Sequence, residues 1–178
     1  MSWYLDACTV VRAQDAGHLE PFLDAAASLG ARVGEEVYLE LTGRPGKVPK
    51  KEQNEARDAL ELRGFRGESI PLDSPAAAVY ASLRAGRTGT SDAGECQSIA
   101  LASVDGEALF ATAKTRAGWL GVIELEERAR ALPSLLREMV RTAGFPPAAA
   151  DAVLLVARTR SGLHQPTWWF KGMQARSA

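Results

Sequence analysis

Brief apolar runs, too short for helices, alternate along this chain with longer amphipathic stretches that end at glycine. Residues 2–5, SWYL, and residues 107–112, EALFAT, are runs of the first kind. Strands separated by helices connect through right-handed crossovers, which predicts a parallel sheet covered on both faces. The fold expected is therefore α/β, a three-layer sandwich around a central parallel sheet. Ligands of such sheets sit beyond the C-terminal ends of the strands. Asp6 stands at one predicted strand end, and the region from Thr112 to Lys114 stands at another.

The helical stretches carry start and stop signals. In AGHLEPFLDAAASLG (16–30), Leu19, Phe22, Leu23 and Ala26 recur at helical spacing and Gly30 closes the run. EEVYLELTG (35–43) closes at Gly43, and EQNEARDALELRG (52–64) at Gly64. SPAAAVYASLRAG (74–86) opens with Ser74 as N-cap and Pro75 at the first helical position. Helices are also predicted over 92–104, over EERARALPSLLREMVRTAG with a break at Pro133, and over 146–162. GESIPL (67–72) and WLGVIEL (119–125) are further strand candidates, and RPGKVPKK (44–51) reads as an exposed loop.

The 178 residues, 46% hydrophobic and 24% charged, suffice for one real core. Residues 1–160 are expected to form that domain, with 161–178 as an aromatic and basic tail. A net charge of −1 excludes a global basic field but leaves room for a local basic groove. No run approaches the length of a membrane span, and Asp6 would interrupt a signal core. A cytoplasmic protein with no membrane association is expected. Cys8 and Cys96 read as buried free thiols, and with His18 and His164 far apart a zinc site is not expected. No Gly-rich phosphate loop and no nucleophile–histidine pair is visible.

Four acids draw attention, each with a plain structural reading beside the chemical one. Asp6 either points into the ligand crevice or caps a turn. Glu40 lies beside Val37 and Leu41, so it snorkels at the edge of an apolar stripe or meets a cation. Asp92 and Glu95, three apart, share a helix face, but Asp-x-x-Glu is also a capping box. Together the four supply what a Mg²⁺ or Mn²⁺ site takes, oxygen ligands at a strand end and on neighbouring helices.

These residues resemble the PIN domains, metal-dependent ribonucleases common as VapC-like toxins. YLDACTVV is similar to their first motif, with Asp6 as the acid, and EEVYLEL to their V-x-x-E motif, with Glu40. SDAGECQSIALA resembles the D-x-GE-x-x-x-IALA helix of one subgroup, with Asp92 and Glu95. LLREMVRTAGFPPAAADAVL resembles that subgroup's C-terminal helices, so the likeness covers roughly residues 3–157. It implies a pocket in which Asp6, Glu40 and Asp92 hold Mg²⁺ or Mn²⁺, with Glu95 as a further or outer-shell ligand. It also implies an RNA substrate and an antitoxin partner. Two departures stand out. Ala7-Cys8 replaces a polar pair, which would loosen the hydrogen bonds around Asp6. The fourth acid is missing, because ALFATAKTRAG has Ala113 and Lys114 in its slot, by evolution or by replacement.

Two functions follow. In the first, the ion activates water against an RNA phosphodiester, Lys114 or Arg116 steadies the phosphate, and Lys47, Lys50 and Lys51 line an RNA approach. The plainer reading of those three lysines is a solvated loop. In the second, the Lys114 ammonium stands in for the ion and the protein binds RNA or a protein without cleaving. Trp168, Trp169 and Phe170 in the tail pack on the protein's own surface or mark a partner or homodimer contact.

Overall fold

β1 (Trp3–Leu5), β2 (Ala31–Gly34), β3 (Gly67–Glu68), β4 (Leu109–Thr112) and β5 (Ala129–Ala131) form one sheet in the order β3-β2-β1-β4-β5. A computed structural model describes residues 2–44, 46, 50–85 and 92–161, without the side chains of 115, 116 and 161. Every adjacent strand pair is parallel, and the register sets Leu5 beside Val33 on one side and Ala111 on the other. The chain winds outward from β1 to β3, then crosses back to β4. The order reverses between β1 and β4, and their C-terminal ends open the crevice where a doubly wound sheet binds ligands.

The sheet is covered on both faces, as the three-layer reading expects. Trp3, Leu5, Leu109 and Ala111 enter the larger core with α1 (Ala7–Asp15), α2 (Leu19–Ser28), α8 (Leu132–Thr142) and α9 (Pro147–Ser161). There Phe22 meets Phe145 edge-on, with ring centroids 6.2 Å apart. Tyr4 and Phe110, one residue out of phase, enter the smaller core with α6 (Ala93–Val104) and α7 (Thr115–Leu125). That alternation is the two-residue period of a strand buried on both sides. α3 (Glu35–Thr42), α4 (Lys51–Leu62) and α5 (Pro75–Arg84) complete the helices among the described residues.

α6 is buried along Ala93–Ala102, so its polar side chains need partners. Gln97 Oε1 accepts the Glu36 N–H at 2.7 Å, satisfying one of the free donors at the start of α3. Gly34 makes room for this, since a Cβ there would lie 2.6 Å from the same oxygen.

The strand expected over 119–125 is instead helix α7. Parallel strands cannot be joined by a tight turn, and α7 is the crossover from β4 to β5. It lies close to the sheet because residue 121 is glycine, where a Cβ would stand 2.9 Å from the Phe110 ring. The long helix expected after residue 125 is a short 3-10 turn (Glu126–Arg128), then β5, then α8. Pro133 begins α8 rather than breaking a helix. The strand expected over 67–72 is confined to Gly67–Glu68. Among the described residues, no helix is long and apolar enough to cross a membrane.

Candidate acidic site at the end of the sheet

Asp6 is the first residue beyond β1, and the sheet still holds its backbone: its N–H donates to Ala111 O at 3.0 Å. Its carbonyl starts α1, accepting the Thr9 N–H at 3.0 Å and the Thr9 hydroxyl at 2.7 Å. The side chain is therefore fixed at the switch point, 1% exposed. Oδ2 accepts the Thr112 hydroxyl at 2.7 Å and the Cys8 thiol at 2.6 Å. Oδ1 is buried with no hydrogen-bond partner among the described residues.

Cys8 thus corrects the expectation that an apolar pair after Asp6 would loosen it. Burial pushes the Cys8 thiol up, and the charge and hydrogen bond of Asp6 push it further. The thiol stays protonated and donates. Its sulfur also accepts the Ala113 N–H at 3.3 Å, while Thr112 Oγ1 accepts the Lys114 N–H at 3.0 Å. Cys8 is a site residue that motif reading missed, and Thr112, already placed at a strand end, proves to be a donor to Asp6. The available signal for Cys8 was a polar hydrogen two residues after Asp6.

α6 brings Glu95 to the same end, 2% exposed. Lys114, at the start of α7, donates its ammonium to Glu95 Oε1 in a short ion pair. Desolvation pushes the Lys114 ammonium down, but the Asp6 charge and the bonded Glu95 carboxylate outweigh it, and the net shift is upward. The half-exposed lysine side chain reaches in from solvent, at 45% exposure, to a carboxylate that is 3% exposed.

α3 supplies Glu40 at the rim. The residue is exposed, but its carboxylate turns inward: Oε1 lies 3.0 Å from where a Cβ on Gly94 would be. Only glycine at 94 lets α6 approach this acid so closely. Burial pushes the Glu40 carboxyl up, the Glu95 and Asp6 charges add to it, Lys114 offsets part, and the group titrates at about 7. Glu36, one turn earlier, pairs with Arg44 at 2.7 Å.

The structure therefore gathers Asp6, Glu40, Glu95 and Lys114. Asp92 stands one turn before Glu95, at the N-cap of α6, with a left-handed backbone (φ 64°). Its side chain makes no capping bond. The capping-box reading fails for both acids, since Glu95 is engaged by Lys114. Arg116 lies in the first turn of α7, with its side chain outside the described residues. Lys50 and Lys51 are exposed at the start of α4, and Lys51 pairs with Glu55 at 3.6 Å. Lys47 and the Trp168-Trp169-Phe170 cluster also lie outside the described residues.

The donor set suits a hard divalent ion in type, with carboxylate oxygens only, and the unpaired Oδ1 of Asp6 is a free ligand atom. Yet among the described residues no three His, Cys, Asp or Glu side chains stand together at ligating distance. Among the described side chains, the cation that balances the acids is Lys114. Carboxylates available to an ion at this end are Asp6, Glu40 and Glu95, the last once Lys114 withdraws from it, with Asp92 one turn before Glu95 on α6.

Fold and site define an α/β protein of doubly wound topology with an acidic pocket at its switch point. Compared with known proteins, the chain matches no family model, no curated protein and no solved structure.

Proposed function

We propose that this is a PIN-like endoribonuclease that cleaves RNA phosphodiesters with Mg²⁺ or Mn²⁺, a cytoplasmic toxin paired with an antitoxin protein. The observation that supports it is the buried, unpaired Oδ1 of Asp6 beside two further carboxylates. A bare carboxylate oxygen so placed is costly unless a cation or a ligand uses it. The order of PIN-like motifs along the chain adds to this. Asp6, Glu40 and Asp92 hold the ion in this reading, with Glu95 as a further ligand. When bound, such an ion supplies hydroxide near neutral pH and clamps an in-line displacement at phosphorus. In the ion-free pocket the Glu40 carboxyl is pushed up to about 7, so the ion binds in competition with that proton. Lys114, released from Glu95, and Arg116 steady the phosphate oxygens.

The test is cleavage of single-stranded RNA with and without Mn²⁺ or Mg²⁺. Cleavage should need the ion and fall by at least about a hundredfold in Asp6→Asn. The absence of both metal binding by calorimetry and cleavage sinks the reading.

The Lys114–Glu95 ion pair favours a second reading, a PIN-like protein that binds RNA or a protein partner without cutting. Lys114 then serves as the built-in cation of the pocket. Wild type should bind no Mn²⁺, and Lys114→Ala should acquire Mn²⁺ binding measurable by the same calorimetry.

A further inference from the structure

Beside the acidic pocket lies a second cavity, which shares Thr112 and Lys114 with it. It has a volume of about 260 Å³ and lies between α7 and the ends of β4 and β5. Trp119 and Val122 form its outer wall, and Ala129, Arg130 and Ala131 its inner one. Trp119 is 67% exposed, unusual for the largest apolar side chain on the helix. The volume lies at the small end of ligand cavities. It suits a flat ring system rather than a helix.

Three observations narrow the occupant. Thr112 and Lys114 line the cavity and also bond Asp6 and Glu95, so a group in the cavity lies next to a group bound at the acids. The cavity wall is largely apolar and includes the exposed indole of Trp119, which suits a π-system. Its rim carries two cations, Lys114 and Arg130, which call for an anion beside that ring. A flat ring joined to phosphates is a nucleotide. Base stacking on aromatic side chains with flanking cations is how unpaired strands are held.

We propose that Trp119 is a stacking platform for one unpaired base of single-stranded RNA, next to the phosphate held at the acidic pocket, with Arg130 on the adjoining phosphate. This rests on reading the acidic pocket as an RNA site. It adds a binding residue that does not depend on whether the pocket cleaves.

The test uses the full chain in EDTA, so that binding is separated from any cleavage. Fluorescence anisotropy measures a short labelled RNA oligomer and the same oligomer carrying an abasic nucleotide at each position in turn. Trp119→Ala should weaken binding about tenfold and Trp119→Phe should restore most of it. One abasic position should weaken wild type by the same factor and leave Trp119→Ala unaffected. Arg130→Gln should lower the salt dependence of binding by about one phosphate contact. The proposal is overturned if Trp119→Ala binds like wild type, or if no abasic position matters. It is equally overturned if Trp119→Ala changes only self-association in sedimentation, which would make the face a protein interface. The two readings fail separately. RNA binding without cleavage in Mn²⁺ removes the nuclease and keeps the platform. Cleavage with unchanged KM in Trp119→Ala removes the platform and keeps the nuclease.

Discussion

Two charged clusters on this sheet are built from nearly the same parts and behave differently. Across β1, β2 and β3, Ser2 donates to Asp105 at 3.1 Å and Tyr4 donates to Glu68 at 2.9 Å. Arg32 lies 3.9 Å from both acids. At the ends of β1 and β4, Thr112 and Cys8 donate to Asp6, and Lys114 donates to Glu95. Among the described side chains, each cluster has acids, one cation and donor groups. In the first, the Arg32, Glu68 and Asp105 side chains are 51%, 40% and 33% exposed, so water screens every charge. In the second, Asp6 is 1% and Glu95 2% exposed, Glu40 adds a third acid, and one oxygen has no partner. The parts alone do not mark a site. Burial together with an excess of one charge does, because only there does a proton, an ion or a ligand relieve a standing cost.

Removing the cation from each cluster is the sharpest way to break this comparison, and the pocket should show the larger effect. Lys114→Met leaves Glu95 buried without the ammonium that pairs it. Breaking a buried pair costs about 3–5 kcal/mol, and the partial exposure of the lysine reduces this to about 2 kcal/mol. Urea denaturation at neutral pH measures the loss. Lys114→Met combined with Glu95→Gln should recover most of it, since the stranded charge is gone. A single variant as stable as wild type would mean that the acids are not crowded.

A smaller effect tests the crowding from the other side. The Glu40 carboxyl titrates at about 7 in the folded chain, above its ordinary value of 4.5. A carboxyl with raised folded pKa binds its proton more tightly when folded. Stability is therefore lost as pH rises from about 4.5 to about 7, and the loss persists above that window. Glu40→Gln carries no such penalty. The variant should match wild type below pH 4.5 and exceed it above pH 7, by about 1 kcal/mol after solvent screening at the exposed rim. Equal stability across that range would place Glu40 in bulk solvent, on the side of the Arg32 cluster.

The sandwich was legible because helices with clear stops alternate with apolar runs, and that pattern admits few topologies. β2 and β5 were not, because ARVG and ARA are too short to show a period; their place is set by pairing with β1 and β4. WLGVIEL was misread because an apolar run of that length fits a strand or a buried helix, and only the crossover requirement decides. At the site, Asp6 was legible from its position after a strand. The pairing of Glu95 rather than Asp92 with Lys114 was not. Both share a helix face, and which one meets Lys114 depends on how α7 leaves β4. Cys8 escaped because a thiol reads as a small apolar residue until an acceptor is seen beside it.

The smallest effect belongs to the screened cluster. Arg32→Gln removes the same unit of charge as Lys114→Met and leaves two acids behind, so a count of charges predicts equal damage. Geometry predicts otherwise. At 3.9 Å, with half of its side chain in water, Arg32 gains little from Glu68 or Asp105, and both acids keep hydrogen bonds from Tyr4 and Ser2 without it. The expected loss is about 0.5 kcal/mol, shrinking further in added salt. Denaturation at low and high ionic strength reads both quantities. A loss as large as that of Lys114→Met, insensitive to salt, would show that the two clusters are electrostatically alike and that burial does not single out the Asp6 pocket.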